Sequence, residues 1–263
     1  MFEAVKVALD PTPAQERLML SHAGAARFAF NAGLAHVKAA LEAGEKPEWS
    51  YFSLINWWNA NKDTLAVDAD GVPWWRENAS KTYESALKAL ADGLSNWVKN
   101  RKGKRKGTRV GFPKFKAKDR GTPRFAYSTS GARSGGLIKD DPKALRLPHI
   151  GRVHCMENVT ALVNGARVVR MTISQRAGRW YAALTVERDE PTTRQTPKGG
   201  AVGIDLGVKT LATFSDGTVI ANAHALQADE RRLKRAQQAL SRKTRGSKRR
   251  AKARERVARI HNR

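Results

Sequence analysis

The stretch Val202-Gly203-Ile204-Asp205-Leu206-Gly207-Val208-Lys209-Thr210 decides how the rest of the chain is read. Residues 201–206 (AVGIDL) have the apolar run of a buried-type strand, with a single acid near its end. An ionised aspartate is costly to bury unless a cation or hydrogen-bond donors meet it. The flanking glycines, Gly203 and Gly207, let a backbone or a ligand approach closely. Downstream, 208–214 and 218–221 read as two further strands around the turn Ser215-Asp216-Gly217. Two helices then follow at 225–243 and 248–263, split at Gly246-Ser247. Their apolar seams are thin (Leu226, Leu233 and Leu240; then Ala253, Val257 and Ile260), and every other face is basic.

Two chemistries use an acid in this setting. RNase H-like nucleases bind a divalent metal with it, and actin-like and sugar-kinase ATPases cradle a nucleotide phosphate at a similar strand and turn. The motif alone leaves both open, beside the plain reading of a strand end. Context favours the first: 58 residues follow Asp205, and 33 of them form the basic helices, which leaves no length for a second phosphate loop and an adenosine site.

Upstream, Pro, Thr and Gly mark a linker at 191–200. Before it lies a hairpin, ARVVRMTIS at 166–174 and RWYAALTVE at 179–187, turning through 175–178. Short β-rich runs at 124–128, 144–147 and 152–156 suggest a small twisted antiparallel sheet or barrel, joined by the opening strand 2–9. Between that strand and the rest stands a helical insertion. Thr12-Pro13-Ala14-Gln15 is a capping box with proline at the first helical position. Helical patterning runs from there to Leu41, with Gly24 and Gly33 as expected breaks; further helices are expected near 51–62 and 79–99. The expected architecture is α+β: a wedge-like β-barrel from 1–10 plus 106–190, a helical insertion at 11–105, the linker, and a third module at 201–263.

The 263 residues carry 49 Lys and Arg against 24 Asp and Glu, a formal charge of +25. Residues 99–120 hold eleven cations and one acid, and residues 231–263 hold fifteen and one, so two segments account for +24 of it. Such charge speaks of partners rather than fold, and a polyanion is the obvious one. Ten of these side chains displacing counterions from a duplex would cost roughly 10⁵ in affinity between about 50 and 200 mM salt. The single cysteine, Cys155, excludes a disulfide framework and an internal Cys-x-x-Cys zinc site. No apolar run approaches a membrane span, and the first residues lack a secretory pattern, so a cytoplasmic, nucleoid-associated protein is expected.

The order of these parts resembles a known family: an opening strand, Pro-capped helices, Gly111-Phe112-Pro113-Lys114-Phe115-Lys116, a hairpin, then Gly203–Gly207 with Lys209-Thr210 and basic helices. The chain resembles TnpB, the transposon-encoded RNA-guided nuclease traditionally labelled a transposase. That resemblance implies a RuvC (RNase H-like) nuclease domain from about 198, a guide RNA from the transposon end, a target DNA with a short adjacent motif, and magnesium-dependent cutting. It makes Asp205 the first catalytic and metal-binding carboxylate. The family also has a glutamate, a four-cysteine zinc ribbon and a final aspartate, for which this sequence has no counterpart. The chain is therefore expected to be a truncated or degenerate copy, inactive alone.

Candidate nucleic-acid contacts are Lys102, Lys104, Arg105, Lys106, Lys114 and Lys116 in the first basic segment, and Arg231, Arg235, Arg242, Arg249 and Arg250 in the second. Arg27 and Asn31, one helical turn apart, are candidates for base contacts. The seven tryptophans are expected mainly in the core, with the adjacent Trp74-Trp75 as the exception; His149 and His154 lack partners for a metal. A rival reading keeps the binding without the cutting, as a remnant or a repressor. A third, a strand-transferring transposase, rests on the traditional label alone.

Overall fold

A computed structural model of the chain describes residues 1–118, 121–129, 135–188, 201–223 and 225–262. The linker expected at 191–200 lies outside them. The chain divides into two compact units, Met1–Asp189 and Glu190–Arg263.

The first unit opens with strand β1 (Phe2–Asp10) and helix α1 (Pro13–Glu42). Thr12 caps α1 as the sequence predicts: its hydroxyl accepts from Gln15 N–H, and the Gln15 side chain answers to the Thr12 N–H. The helix does not break at Gly24 or Gly33. A Cβ on Gly33 would lie 3.0 Å from methyl groups of both Leu87 and Leu90, so this glycine permits a close helix crossing. Helices α2 (Tyr51–Leu65) and α3 (Ser80–Arg101) complete the helical layer. α3 presents Tyr83, Leu87, Leu90 and Leu94 to the core, each buried large side chain contributing roughly 1.5–3 kcal/mol.

Strands β2 (Arg124–Ser128), β3 (Gly136–Ile138), β4 (Asp141–Leu147), β5 (Gly151–Cys155), β6 (Arg167–Arg176) and β7 (Arg179–Glu187) follow, with a one-turn helix α4 (Val159–Val163) before β6. With β1 they form one antiparallel sheet in the order β2-β6-β7-β1-β5-β4-β3, curled into a half-barrel. It remains open, with β2 and β3 at its edges. The β6–β7 hairpin is longer and its turn tighter than expected, because Ala177 and Gly178 both take positive φ (51° and 77°) and close a two-residue turn. β7 alternates between buried and half-exposed positions along its length, the mark of one face on a core. That core is continuous with the helical layer, running from Val7 through Leu34 and Leu90 to Leu184.

The first turn of α1 is fastened to this sheet by polar contacts. Glu16 Oε1 accepts from Gln175 Nε2 (3.0 Å) and Trp180 Nε1 (3.1 Å), and Gln15 Nε2 donates to Arg152 O (2.6 Å). Six tryptophans are buried or packed against the core, and Trp97 is half-buried against Trp49 and Phe112. Trp74 and Trp75 are no exception, since their indole N–H groups reach Val67 O (3.1 Å) and Asp63 Oδ1 (2.9 Å).

The second unit holds a three-stranded antiparallel sheet, β8 (Ile204–Leu206), β9 (Thr210–Phe214) and β10 (Val219–Ala221), in the order β10-β9-β8. Helices α5 (Ala225–Ser241) and α6 (Lys248–His261) form a hairpin. The buried-type strand expected at 201–206 is instead exposed along its whole length, with Leu206 76% accessible. Ile204 and Leu206 are apolar, but β8 is an edge strand of a small sheet. Among the described residues no helix is long and apolar enough to cross a membrane.

Candidate nucleic-acid interface

In the first unit, α1, α3 and residues 115–118 and 121–126 border an open groove of about 1040 Å³. Its apolar lining includes small side chains, among them Ala23, Ala26, Ala86 and Ala89. Five cations line it: Arg27 on α1, Lys116 and Lys118 on the irregular segment after Pro113, Arg124 on β2 and Arg170 on β6. Among the described residues no acid lines the groove, and none of the five cations forms an ion pair.

The electrostatics register this imbalance. Burial of its ammonium, and then the neighbouring Arg124 charge, push Lys116 down to about 8. That ammonium sits over the Phe30 ring, 3.5 Å from its centroid. Burial and then Arg124 likewise shift Arg170 downward, against the opposing pull of Asp92. Like charges held together with no acid in the lining favour an anion between them.

Of the sequence-derived candidates, Arg27 and Lys116 line the groove, Asn31 is hydrogen-bonded to the Lys116 backbone, and Lys114 lies two residues from Lys116 on the same segment. The Asn31 amide is engaged by protein: Nδ2 donates to Lys116 O (3.0 Å), and Oδ1 accepts the Lys116 N–H (2.8 Å). Lys102, Lys104 and Lys106 stand exposed at and beyond the end of α3. Arg105 is half-buried and donates to Thr108 O. Sequence reasoning missed Lys118, Arg124 and Arg170. The latter two lie outside the basic runs, and β2 pairs with β6 so that Arg124 opposes Ser174 and Ser128 opposes Arg170. Only that pairing brings them to one edge.

A buried histidine was also missed. His22 is fully buried; its Nδ1 lies 2.8 Å from Leu18 O, and its Nε2 accepts the Ala79 N–H at 3.2 Å. Burial lowers it to about 4, with His149 nearby adding to the effect. The ring is a structural, neutral imidazole.

In the second unit, Arg231, Arg235, Arg242 and Arg249 are exposed on the helical hairpin. Arg250 has another task. Its Nη1 donates to Leu240 O (3.3 Å) and Lys243 O (2.8 Å), satisfying carbonyls at the end of α5. Asp205 is exposed on β8, opposite Thr213. Ser215 fastens the neighbouring Gly203, its N–H donating to Gly203 O (2.9 Å) and its Oγ accepting the Gly203 N–H (3.1 Å). Gly207 turns the chain where a Cβ would come 3.0 Å from Thr210 O. Asp216 is a turn residue, held low by hydrogen bonds from Thr218. Among the described residues no group of three or more His, Cys, Asp or Glu is placed to hold a metal ion.

Residues 183–263 match a transposase family model, OrfB_IS605, described as "Probable transposase", and residues 1–46 match its companion, described as "Helix-turn-helix domain". Here residues 1–46 form β1 and the uninterrupted α1, one strand and one helix. Across 99% of its length the chain is 34% identical to Rv2885c of Mycobacterium tuberculosis (strain ATCC 25618 / H37Rv), and 31% identical to InsQ of Escherichia coli (strain K12). Both are named "Putative RNA-guided DNA endonuclease". The chain spans about three fifths of the length of these curated relatives, 60% and 59%. With both ends matched by the family's models and its whole length by these relatives, the chain belongs to the OrfB_IS605 transposase family of TnpB-like proteins.

Proposed function

We propose that the chain binds guide RNA and target DNA as the nucleic-acid-binding portion of a TnpB-type, RNA-guided DNA endonuclease. The observation that carries this reading is the groove of five uncompensated cations over a small-residue lining. Fixed positive charge beside an apolar lining suits a phosphate backbone passing the wall. The relatives' names add an RNA guide and a DNA target; in RNA-guided systems guide pairing reads sequence, while the protein reads backbone and shape. The exposed arginines of the α5–α6 hairpin then track a second stretch of backbone.

Within this reading 201–263 begins a RuvC-like domain, and Asp205 is one carboxylate of its magnesium site. A two-metal cleavage needs several carboxylates around ions about 4 Å apart. Asp205 meets no such cluster among the described residues, which favours a second reading, a non-catalytic RNA- and DNA-binding protein. The test is to purify the 263-residue polypeptide, sequence any RNA that comes with it, and supply matched target DNA with magnesium. Co-purified transposon-end RNA and target binding without cutting are the expected results. Cutting lost in Asp205→Ala would establish the nuclease in this chain itself, and absence of RNA and DNA binding would refute both readings.

A further inference from the structure

The segment 109–117 lies between α3 and β2 without helix or strand of its own, so its backbone polar groups need partners from elsewhere. Apolar contacts pin its first half to α3: Phe112 packs edge-on against Trp97 (4.9 Å between centroids), and Pro113 lies close to Gly93. Its second half meets α1, where Lys38 lies over the Phe115 ring at 5.0 Å and Lys116 lies over Phe30. At that point Asn31 binds both the N–H and the C=O of Lys116.

A carboxamide offers one edge with an oxygen acceptor beside a nitrogen donor. That edge is the one an asparagine uses to read adenine at N7 and N6. In Asn31 it is occupied by backbone 85 residues away in sequence. The pairing also fixes which amide atom is oxygen, since a flipped amide would set donor against donor and acceptor against acceptor.

We propose that Asn31 is a positioning residue rather than a base reader: its two-point clamp on Lys116 holds the segment against α1 and fixes where Lys116 and Lys118 present their charge to a phosphate backbone. The inference rests on the nucleic-acid-binding reading above. Without the clamp the two lysines still exist but sample many positions, and fewer counterions are released on binding.

The experiment compares wild type, Asn31→Ala, Lys116→Ala and the double variant in binding to duplex DNA between about 50 and 200 mM salt. Amide hydrogen exchange at Lys116 is read without DNA. Asn31→Ala is expected to weaken binding about tenfold, to lower the salt slope by about one to two, to leave base preference unchanged, and to speed exchange at Lys116. The double variant should bind more weakly than either single variant, since Lys118 also loses its position, but by less than the product of both losses, since the Lys116 charge can be lost only once. A wild-type salt slope, altered base preference, or independent effects of the two substitutions would each overturn the inference. If wild type binds no DNA, the functional reading itself fails, while the exchange measurement still reports whether the clamp holds the segment.

Discussion

The Nε2 of His22, on α1, accepts the backbone N–H of Ala79 at 3.2 Å, across 57 residues of sequence. Ala79 precedes α3 and has no side chain to cap it, so a buried imidazole from another helix supplies the polar partner at that junction. The ring is enclosed by Phe125, Tyr127 and His149.

This contact predicts a stability loss in mild acid. The folded chain keeps His22 neutral down to about 4, whereas the unfolded chain takes up a proton near the ordinary 6.5. Between those values the unfolded state binds more protons, so stability is flat above about 6.5 and falls as pH drops toward 4. The fall attributable to His22 is about 3 kcal/mol. Urea denaturation across this range should show a shallower pH dependence for His22→Gln than for wild type.

Lys116 predicts a second pH dependence, of opposite character and in binding. With its ammonium pushed down to about 8, the free chain loses that charge as pH rises through 8. Duplex affinity at fixed salt should therefore weaken between pH 7 and 9. Lys116→Arg, which stays protonated throughout, should remove that component of the decline.

The two glycines of α1 should respond in opposite ways. A side chain at Gly33 collides with Leu87 and Leu90, so Gly33→Val is expected to destabilise the fold by about 1–3 kcal/mol. At Gly24 an added Cβ meets only the Arg27 guanidinium at 3.9 Å, and Gly24→Ala should stabilise by about 0.5–1 kcal/mol. Denaturant melts of the two variants check both signs.

Neighbouring arginines in the helical hairpin should also separate. Arg250→Ala removes donors from Leu240 O and Lys243 O and should cost helical circular dichroism and about 1 kcal/mol of stability in this unit. Arg249→Ala, exposed, should leave helicity intact and weaken only nucleic-acid binding.

The parts legible in the sequence are those whose signal is local. Thr12-Pro13-Ala14-Gln15 announces the start of α1, and Tyr83, Leu87, Leu90 and Leu94 announce the buried face of α3. Glycine in a helix is ambiguous in sequence, because the same residue that weakens a helix also permits a close crossing; only Leu87 and Leu90 decide the matter at Gly33. The groove was half-visible. Lys116 advertises itself in a basic run, but Arg124 and Arg170 join it through strand pairing. Asn31 was legible as a polar residue near Arg27, but its partner lies 85 residues downstream. Exposure of Ile204 and Leu206 runs against their apolar character, which no pattern within the strand reveals.

The most direct test of the central claim is duplex DNA affinity against salt for wild type and for Arg124→Gln/Arg170→Gln, two cations outside both basic runs. If the groove carries a phosphate backbone, the double variant binds at least tenfold more weakly and its salt slope falls by about two. Wild-type affinity and slope in that variant would place nucleic acid elsewhere on the chain and contradict the account.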